Sequence, residues 1–183
     1  YQARDLYTDA ALALDVNGRF LALRADLVGN LGAHTVSFVP LSNGPRLLPS
    51  VYRINAGYAR IRGVLTHTVP TGPYRGAGRP ECTYLLERLV TKAARETGID
   101  PVELRKMNMI QADQYPYQTP VALQYDCGDS PATFESALKA SDYAGFEKRR
   151  AAAEKSGKLR GIGISTYIEA CGIAPSAVAG ALG

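Results

Sequence analysis

An α+β domain is what this 183-residue sequence predicts, an antiparallel hairpin and further strands with helices packed on one side. Three observations predict it. Two alternating runs, Leu12, Leu14, Val16 and then Phe20 to Val28, are joined by Asn17-Gly18. A strand-like run, Tyr58 to Val69, enters a glycine- and proline-rich stretch at 70–81. Beyond it Cys82, Leu85, Leu86, Leu89, Val90 and Ala93 recur at three- and four-residue steps, the period of a helix with one apolar face.

In chain order, Tyr1 to Thr8 is a polar lead-in without period. The Asn17-Gly18 pair predicts a two-residue type I′ turn, whose central residues both need φ > 0. Gly29 to His34 is a polar loop in which Asn30 and His34 either face a ligand or, as such residues more often do, cap a turn. Ser42 to Pro49 reads as another loop, and Arg46 to Ile54 as a short helix with Leu47, Leu48 and Val51 on its apolar side. His67 stands alone on its strand, without a second ligand at metal spacing, and reads as structural. The helix from Glu81 to Thr97 turns Glu87, Arg88, Lys92, Arg95 and Glu96 to solvent, and Gly98 closes it. Asp100-Pro101-Val102-Glu103 opens the next helix, to about Ile110, with Asp100 as N-cap and Glu103 placed for a capping box. Asn108 is suited to hold neighbouring backbone. Gln111 to Ser130 reads as irregular, Ala132 to Ala140 and Ser141 to Ser156 as helices, and Gly161 to Glu169 as a strand.

Chemistry concentrates in Pro70-Thr71-Gly72-Pro73-Tyr74-Arg75-Gly76-Ala77-Gly78-Arg79-Pro80-Glu81. Glycine permits φ > 0 and close approach to a ligand. The following helix offers free N–H groups and the positive end of its dipole. Arg75 and Arg79 add permanent cations, so the stretch reads as an anion cradle. The plainer alternative, a tight strand-to-helix connection with surface arginines, stays open. No Lys-Ser/Thr follows, and Glu81 stands where GxGxxG needs its third glycine, so neither phosphate-loop pattern is met.

Composition bounds the rest. A hydrophobic share of 46% is enough to build a core, and the net charge of +4 is spread along the chain, which disfavours nucleic acid as a partner. The three cysteines, Cys82, Cys127 and Cys171, lie far apart without CxxC spacing, which argues against a disulfide framework and against an iron–sulfur or zinc site in this chain. A reducing, cytoplasmic setting is expected, with no signal peptide and no apolar run long enough for a transmembrane segment.

Tyr74-Arg75-Gly76-Ala77-Gly78-Arg79-Pro80-Glu81, followed by a long helix and then Gly98-Ile99-Asp100-Pro101-Val102-Glu103-Leu104-Arg105-Lys106-Met107-Asn108, resembles the molybdenum hydroxylases. These are the molybdopterin-binding large subunits of the carbon monoxide dehydrogenase, aldehyde oxidase and xanthine dehydrogenase family. The likeness runs from about Asp9 to the end of the chain. It implies a fragment of such a subunit, with residues 1–157 part of the first molybdopterin-binding domain and 158–183 the start of a second. Arg75 inherits a catalytic place at the molybdenum site, with Tyr74, Gly76, Ala77 and Gly78 around the cofactor. Arg160-Gly161-Ile162-Gly163-Ile164-Ser165-Thr166-Tyr167-Ile168-Glu169 resembles the segment that opens the second half, making Tyr167, Glu169 and Gly172 substrate-pocket candidates.

The resemblance further implies molybdopterin in its cytosine dinucleotide form, an FAD-binding medium subunit, a small subunit with 2Fe–2S centres, and a dimer of heterotrimers. It assigns no metal ligand to this chain and puts the catalytic glutamate and the Gly-Gly-Phe-Gly cofactor motif elsewhere, so the fragment alone should be inactive. In members that oxidise carbon monoxide the family arginine is followed by Cys-Ser-Phe-Arg, whose cysteine carries copper. Here Gly76-Ala77-Gly78-Arg79 follows, which points instead to hydroxylation of an aldehyde or N-heterocycle. A non-catalytic anion-binding or assembly module of the same fold is the competing class.

Overall fold

The computed structural model describes residues 2–169. Strands β1 (Leu6–Leu14) and β2 (Phe20–Gly32) form the expected antiparallel hairpin, with Leu12 opposite Leu23. Their turn differs from the type I′ reading. Only Gly18, at φ 83°, is left-handed, because Asp15 organises the bend. Its Oδ1 accepts from the amides of Asn17 and Arg19, both at 2.8 Å, and its amide donates to the Arg19 carbonyl.

Helix α1 (Val39–Arg46) and strand β3 (Ala56–Leu65) come next. β3 lies beside β2 but runs parallel to it, so the sheet β1-β2-β3 is mixed rather than wholly antiparallel. The reason is the connection. A parallel neighbour needs a long crossover, and residues 33–55 supply one that carries α1 over a face of the sheet. That helix replaces the expected loop, and the expected helix at 46–54 is absent. Pro40 seeds the first turn of α1, whereas Pro45 sits one residue from its end and cannot donate into it. Residues 47–54 instead turn inward, burying Leu47, Leu48, Val51, Tyr52 and Ile54.

The core lies on one side of the sheet. Leu23, Ala25 and Leu27 of β2 meet Cys82, Leu86, Val90 and Ala93 of helix α2 (Arg79–Thr97). Across the sheet, Arg24 pairs with Asp9, and Arg62 with Asp26 at 3.1 Å, a solvated charge ladder. Helix α3 (Pro101–Asn108) starts on the predicted N-cap: Asp100 Oδ1 accepts from the amides of Val102 at 2.8 Å and Glu103 at 3.1 Å. Glu103 does not complete the box; its carboxylate turns to Lys106 Nζ at 3.8 Å. Asn108 holds backbone as expected, donating to Gly18 and Leu104 carbonyls and accepting from the Phe20 amide. It fastens the hairpin turn to α3.

The irregular stretch after α3 contains a short antiparallel pair, β4 (Tyr117–Gln118) and β5 (Gln124–Tyr125). Helices α4 (Ser130–Ala140) and α5 (Phe146–Lys155) follow, separated by a bend at Asp142, whose φ of 46° breaks the longer helix read from sequence. Residues 161–169 form no strand. Their carbonyls bond to side chains: Ser50 Oγ donates to Thr166 O at 3.4 Å, and Arg105 to Ile164 O at 3.5 Å. Ile164 and Ile168 rest on the core. No described helix is long and apolar enough to cross a membrane.

One feature of α2 contradicts the sequence reading. Glu87, expected in solvent, is only 6% exposed and pairs with Arg105, which is 1% exposed. Arg105 Nε and Nη2 donate to Glu87 Oε2 at 3.1 and 2.9 Å. Tyr52 Oη donates to Glu87 Oε1 at 2.6 Å, and Thr166 Oγ1 donates to the same oxygen at 3.1 Å. Burial, then the Glu87 carboxylate, raises the Tyr52 pKa well above the usual phenol value, so the hydroxyl stays a donor.

Two measurements follow. Glu87→Ala strands the buried Arg105 charge and should cost about 3–5 kcal/mol in urea denaturation, while Glu87→Leu with Arg105→Met should cost markedly less. Burial, and secondarily Glu81, pushes the Cys82 thiol up from 9.0 to about 12. The fold therefore favours the neutral thiol: this stabilisation is complete below pH 9.0 and is lost as pH rises toward about 12. Near pH 8, iodoacetamide should label exposed Cys127 readily and Cys82 only on unfolding.

Candidate functional site

β3 ends at Leu65, four residues short of the predicted Val69, because side chains take over there. Thr66 Oγ1 donates to Asn30 Oδ1 at 2.7 Å, and Asn30 Nδ2 donates to Thr68 Oγ1 at 2.7 Å and to Asp5. Asn30 is thus the turn cap expected of it, whereas His34 and His67 are exposed. The chain then passes Thr71, which bridges Gln2, and reaches the arginine loop.

Three successive residues of that loop are left-handed: Gly76 at φ 89°, Ala77 at 44° and Gly78 at 95°. The bend is closed by bonds from Ala77 N to Tyr74 O at 2.6 Å, Arg79 N to Gly76 O at 3.1 Å and Cys82 N to Gly78 O at 3.2 Å. Gly78 is the N-cap of α2, with no side chain to satisfy the first amides. The glycines serve close internal packing as well as φ. A Cβ at Gly76 would strike the Pro80 ring, and one at Gly78 would strike the Pro40 carbonyl of α1.

Charges near the loop are mostly spoken for. Arg79 Nη1 donates to Glu169 Oε1. Arg4 Nη1 lies 3.0 Å from Glu81 Oε2, off the line of a hydrogen bond. Arg4 Nη2 donates to the Arg75 carbonyl at 2.6 Å, and the Arg4 guanidinium lies 5.2 Å from the Tyr74 ring centroid. Arg75 is exposed and makes no ion pair among the described residues. The amides of Gly76 and Gly78 donate to no carbonyl among those residues. An unpaired guanidinium, uncommitted amides and the start of a 19-residue helix form a donor set suited to an anion.

The structure therefore brings Tyr74, Arg75, Gly76, Ala77 and Gly78 together and adds Glu169 through Arg79. Tyr167 faces elsewhere. It lines an open cleft of about 530 Å³ with Met109, Tyr115, Cys127 and Asp129. Gly172 lies outside the described residues. Among the described residues, no three His, Cys, Asp or Glu side chains are grouped to hold a metal ion.

Two contributors escape the sequence. Arg4 sits in a lead-in with no period, and its partners are 71 and 77 positions away. Glu87 had one faint signal: Ala94, seven positions on and on the same side of α2, is small and buried as well. Gly78→Ala combines a strained φ with a clash against Pro40 and should cost about 1–3 kcal/mol of stability, read by thermal unfolding. Gly98→Ala carries the strain without the clash and should cost less.

Comparisons with known proteins identify the family. A family model described as a molybdopterin cofactor-binding domain matches residues 1–109. The chain is 33% identical to the carbon monoxide dehydrogenase large chain of Hydrogenophaga pseudoflava, an alignment covering 99% of this chain and 24% of that protein. Identity is 28% to the 6-hydroxypseudooxynicotine dehydrogenase complex subunit gamma of Paenarthrobacter nicotinovorans, covering 93% and 22%. Among solved structures, the quinoline 2-oxidoreductase of Pseudomonas putida 86 superimposes with a TM-score of 0.77 at 28% identity, over 85% of this chain and 20% of that one. The chain thus spans about a quarter of the length of the curated relatives it matches. With the matched region enclosing the hairpin, the arginine loop and the helices that brace it, the chain belongs to the molybdopterin cofactor-binding domain family.

Proposed function

We propose that the protein containing this chain is the molybdenum-cofactor-binding large subunit of a molybdenum hydroxylase, an oxidoreductase that hydroxylates an aldehyde or N-heterocycle with water as oxygen source. One observation carries the reading: the left-handed bend at Gly76–Gly78, with Arg75 beside it unpaired among the described residues, lies inside the region the cofactor-binding family model matches. The donor set fits a pterin cofactor, whose phosphate accepts hydrogen bonds from uncommitted backbone amides beside a helix N-terminus. Tyr74, Gly76, Ala77 and Gly78 would hold the cofactor, in its cytosine dinucleotide form, largely through the backbone.

When bound, that cofactor supplies the two-electron redox chemistry. The chain's own part is electrostatic. Arg75, fixed between a braced loop and the start of α2, holds an anionic substrate group or charge developing on the substrate oxygen. A fixed donor of this kind is worth most where water is excluded. Because Arg75 is exposed in this chain, the rest of the subunit must supply the cover, and the chain alone should be inactive. Glu169 and Gly172 would border the substrate pocket, with Tyr167 reaching it only from the neighbouring cleft it lines; residues 1–157 would belong to the first cofactor-binding domain, and 158–183 would open the second.

Relatives named as a large chain and as a complex subunit support a multi-subunit assembly. We assign its electron path to an FAD-binding medium subunit and a small 2Fe–2S subunit, as a dimer of heterotrimers in the cytoplasm. Gly76 has no sulfur, so copper chemistry is not assigned despite the carbon monoxide dehydrogenase relatives.

Metal and pterin analysis of the matured full-length protein should find molybdenum and a pterin dinucleotide without copper; absence of molybdenum would sink the reading. In that enzyme Arg75→Ala should lower turnover about 10²–10³-fold, or about 3–4 kcal/mol of barrier, at unchanged molybdenum content. Turnover near that of the parent would remove Arg75 from the chemistry.

A further inference from the structure

Resting on the anion-site reading above, we propose that Glu169 is a positioning residue for the arginine loop. It neutralises Arg79, ties residues 162–169 to the start of α2, and leaves Arg75 as the loop's one uncompensated charge among the described residues.

The geometry has two parts. Arg79 is the first residue of α2, directly after Gly78, and its side chain is 15% exposed against 33% for Glu169. The Glu169 carboxylate therefore reaches the point where the left-handed bend becomes helix. Upstream, the strap carrying Glu169 is pinned to the core. Thr166 Oγ1 lies 2.6 Å from Tyr52 Oη and donates to Glu87, while Arg105 donates to the Ile164 carbonyl. Ile164 and Ile168 pack on buried side chains. Only two residues, Tyr167 and Ile168, separate pinned Thr166 from Glu169, so the carboxylate has a short tether. The buried Glu87–Arg105 pair thus sets the location of a surface charge next to the site.

On the other side Arg4 performs the matching task. It sits against Glu81, donates to the Arg75 carbonyl and covers the Tyr74 ring. Four charges, Arg4 with Glu81 and Arg79 with Glu169, cancel in pairs around Arg75. Remove the Glu169 charge and Arg79 becomes a second free cation four positions from Arg75, at the positive end of a helix. Like charges there repel, and the bend held by only three backbone bonds loosens.

Hydrogen exchange in the full-length protein reads this directly. The amides of Ala77, Arg79 and Cys82 close the bend and report its opening, while the Leu104 amide of α3, bonded to the Asp100 carbonyl, reports the core. Glu169→Gln should speed exchange at the three loop amides about tenfold or more and leave Leu104 unchanged. The reciprocal pair, Arg79→Glu with Glu169→Arg, should return the loop amides to within about twofold of the parent, because the attraction is rebuilt with its signs exchanged. Unchanged loop exchange in Glu169→Gln would overturn the proposal. So would a reciprocal pair that leaves the loop fast, or a Glu169→Gln change that speeds Leu104 equally, since that would make the residue a contributor to global stability only. None of these readouts depends on loaded cofactor, so they fail or succeed separately from the metal analysis.

Discussion

A guanidinium and a carboxylate survive together in a protein interior only when each has its full set of partners. Arg105 and Glu87 meet that condition. The two Glu87 oxygens take four donors, from Arg105, Tyr52 and Thr166, and Arg105 also reaches the Pro101 carbonyl and Thr91. These donors come from α3, from the inward turn after α1 and from the strap at 162–169, while Glu87 itself sits midway along α2. One carboxylate therefore sets four segments in register. Apolar contacts tolerate sliding; these bonds do not, because a displaced partner leaves a buried charge unsatisfied.

The exact seating of α2 matters because its first residue leaves the loop that carries Arg75. A helix anchored by Cys82, Leu86 and Val90 in the core cannot rotate without exposing that stripe. At its N-terminal end the backbones of α1 and α2 approach so closely that neither Gly44 nor Gly78 has room for a Cβ. The loop is thus held by contact on one side and by ion pairs on two others. Pairing Arg4 with Glu81 and Arg79 with Glu169 also shapes the field, since compensated charges contribute little at a distance. What remains among the described residues is the helix end and one arginine, a cationic point in place of a diffuse basic patch.

Much of this architecture was legible in the sequence because it rests on local rules. The alternation around Asn17-Gly18 gave the hairpin, although a side chain two positions earlier, Asp15, decided the turn type. The apolar stripe gave α2, and Asp100-Pro101 gave the start of α3. The arginine loop stood out because glycine and proline mark special backbone, and three left-handed residues occur there. Less local features were misread. The direction of β3 depends on how residues 33–55 cross the sheet, and residues 161–169 look like a strand by composition yet have side-chain rather than ladder partners.

By itself the sequence determined where the chain bends, which helix face is apolar, and which arginine follows an aromatic in a glycine-rich turn, since each depends on residues a few positions apart. Only the tertiary structure decided which charges are cancelled. Arg4 meets Glu81, Arg79 meets Glu169 and Glu87 meets Arg105 across separations of 18 to 90 positions, which no local period records. A charge in a sequence is only a sign; its effect is set by what the fold places within about 4 Å of it.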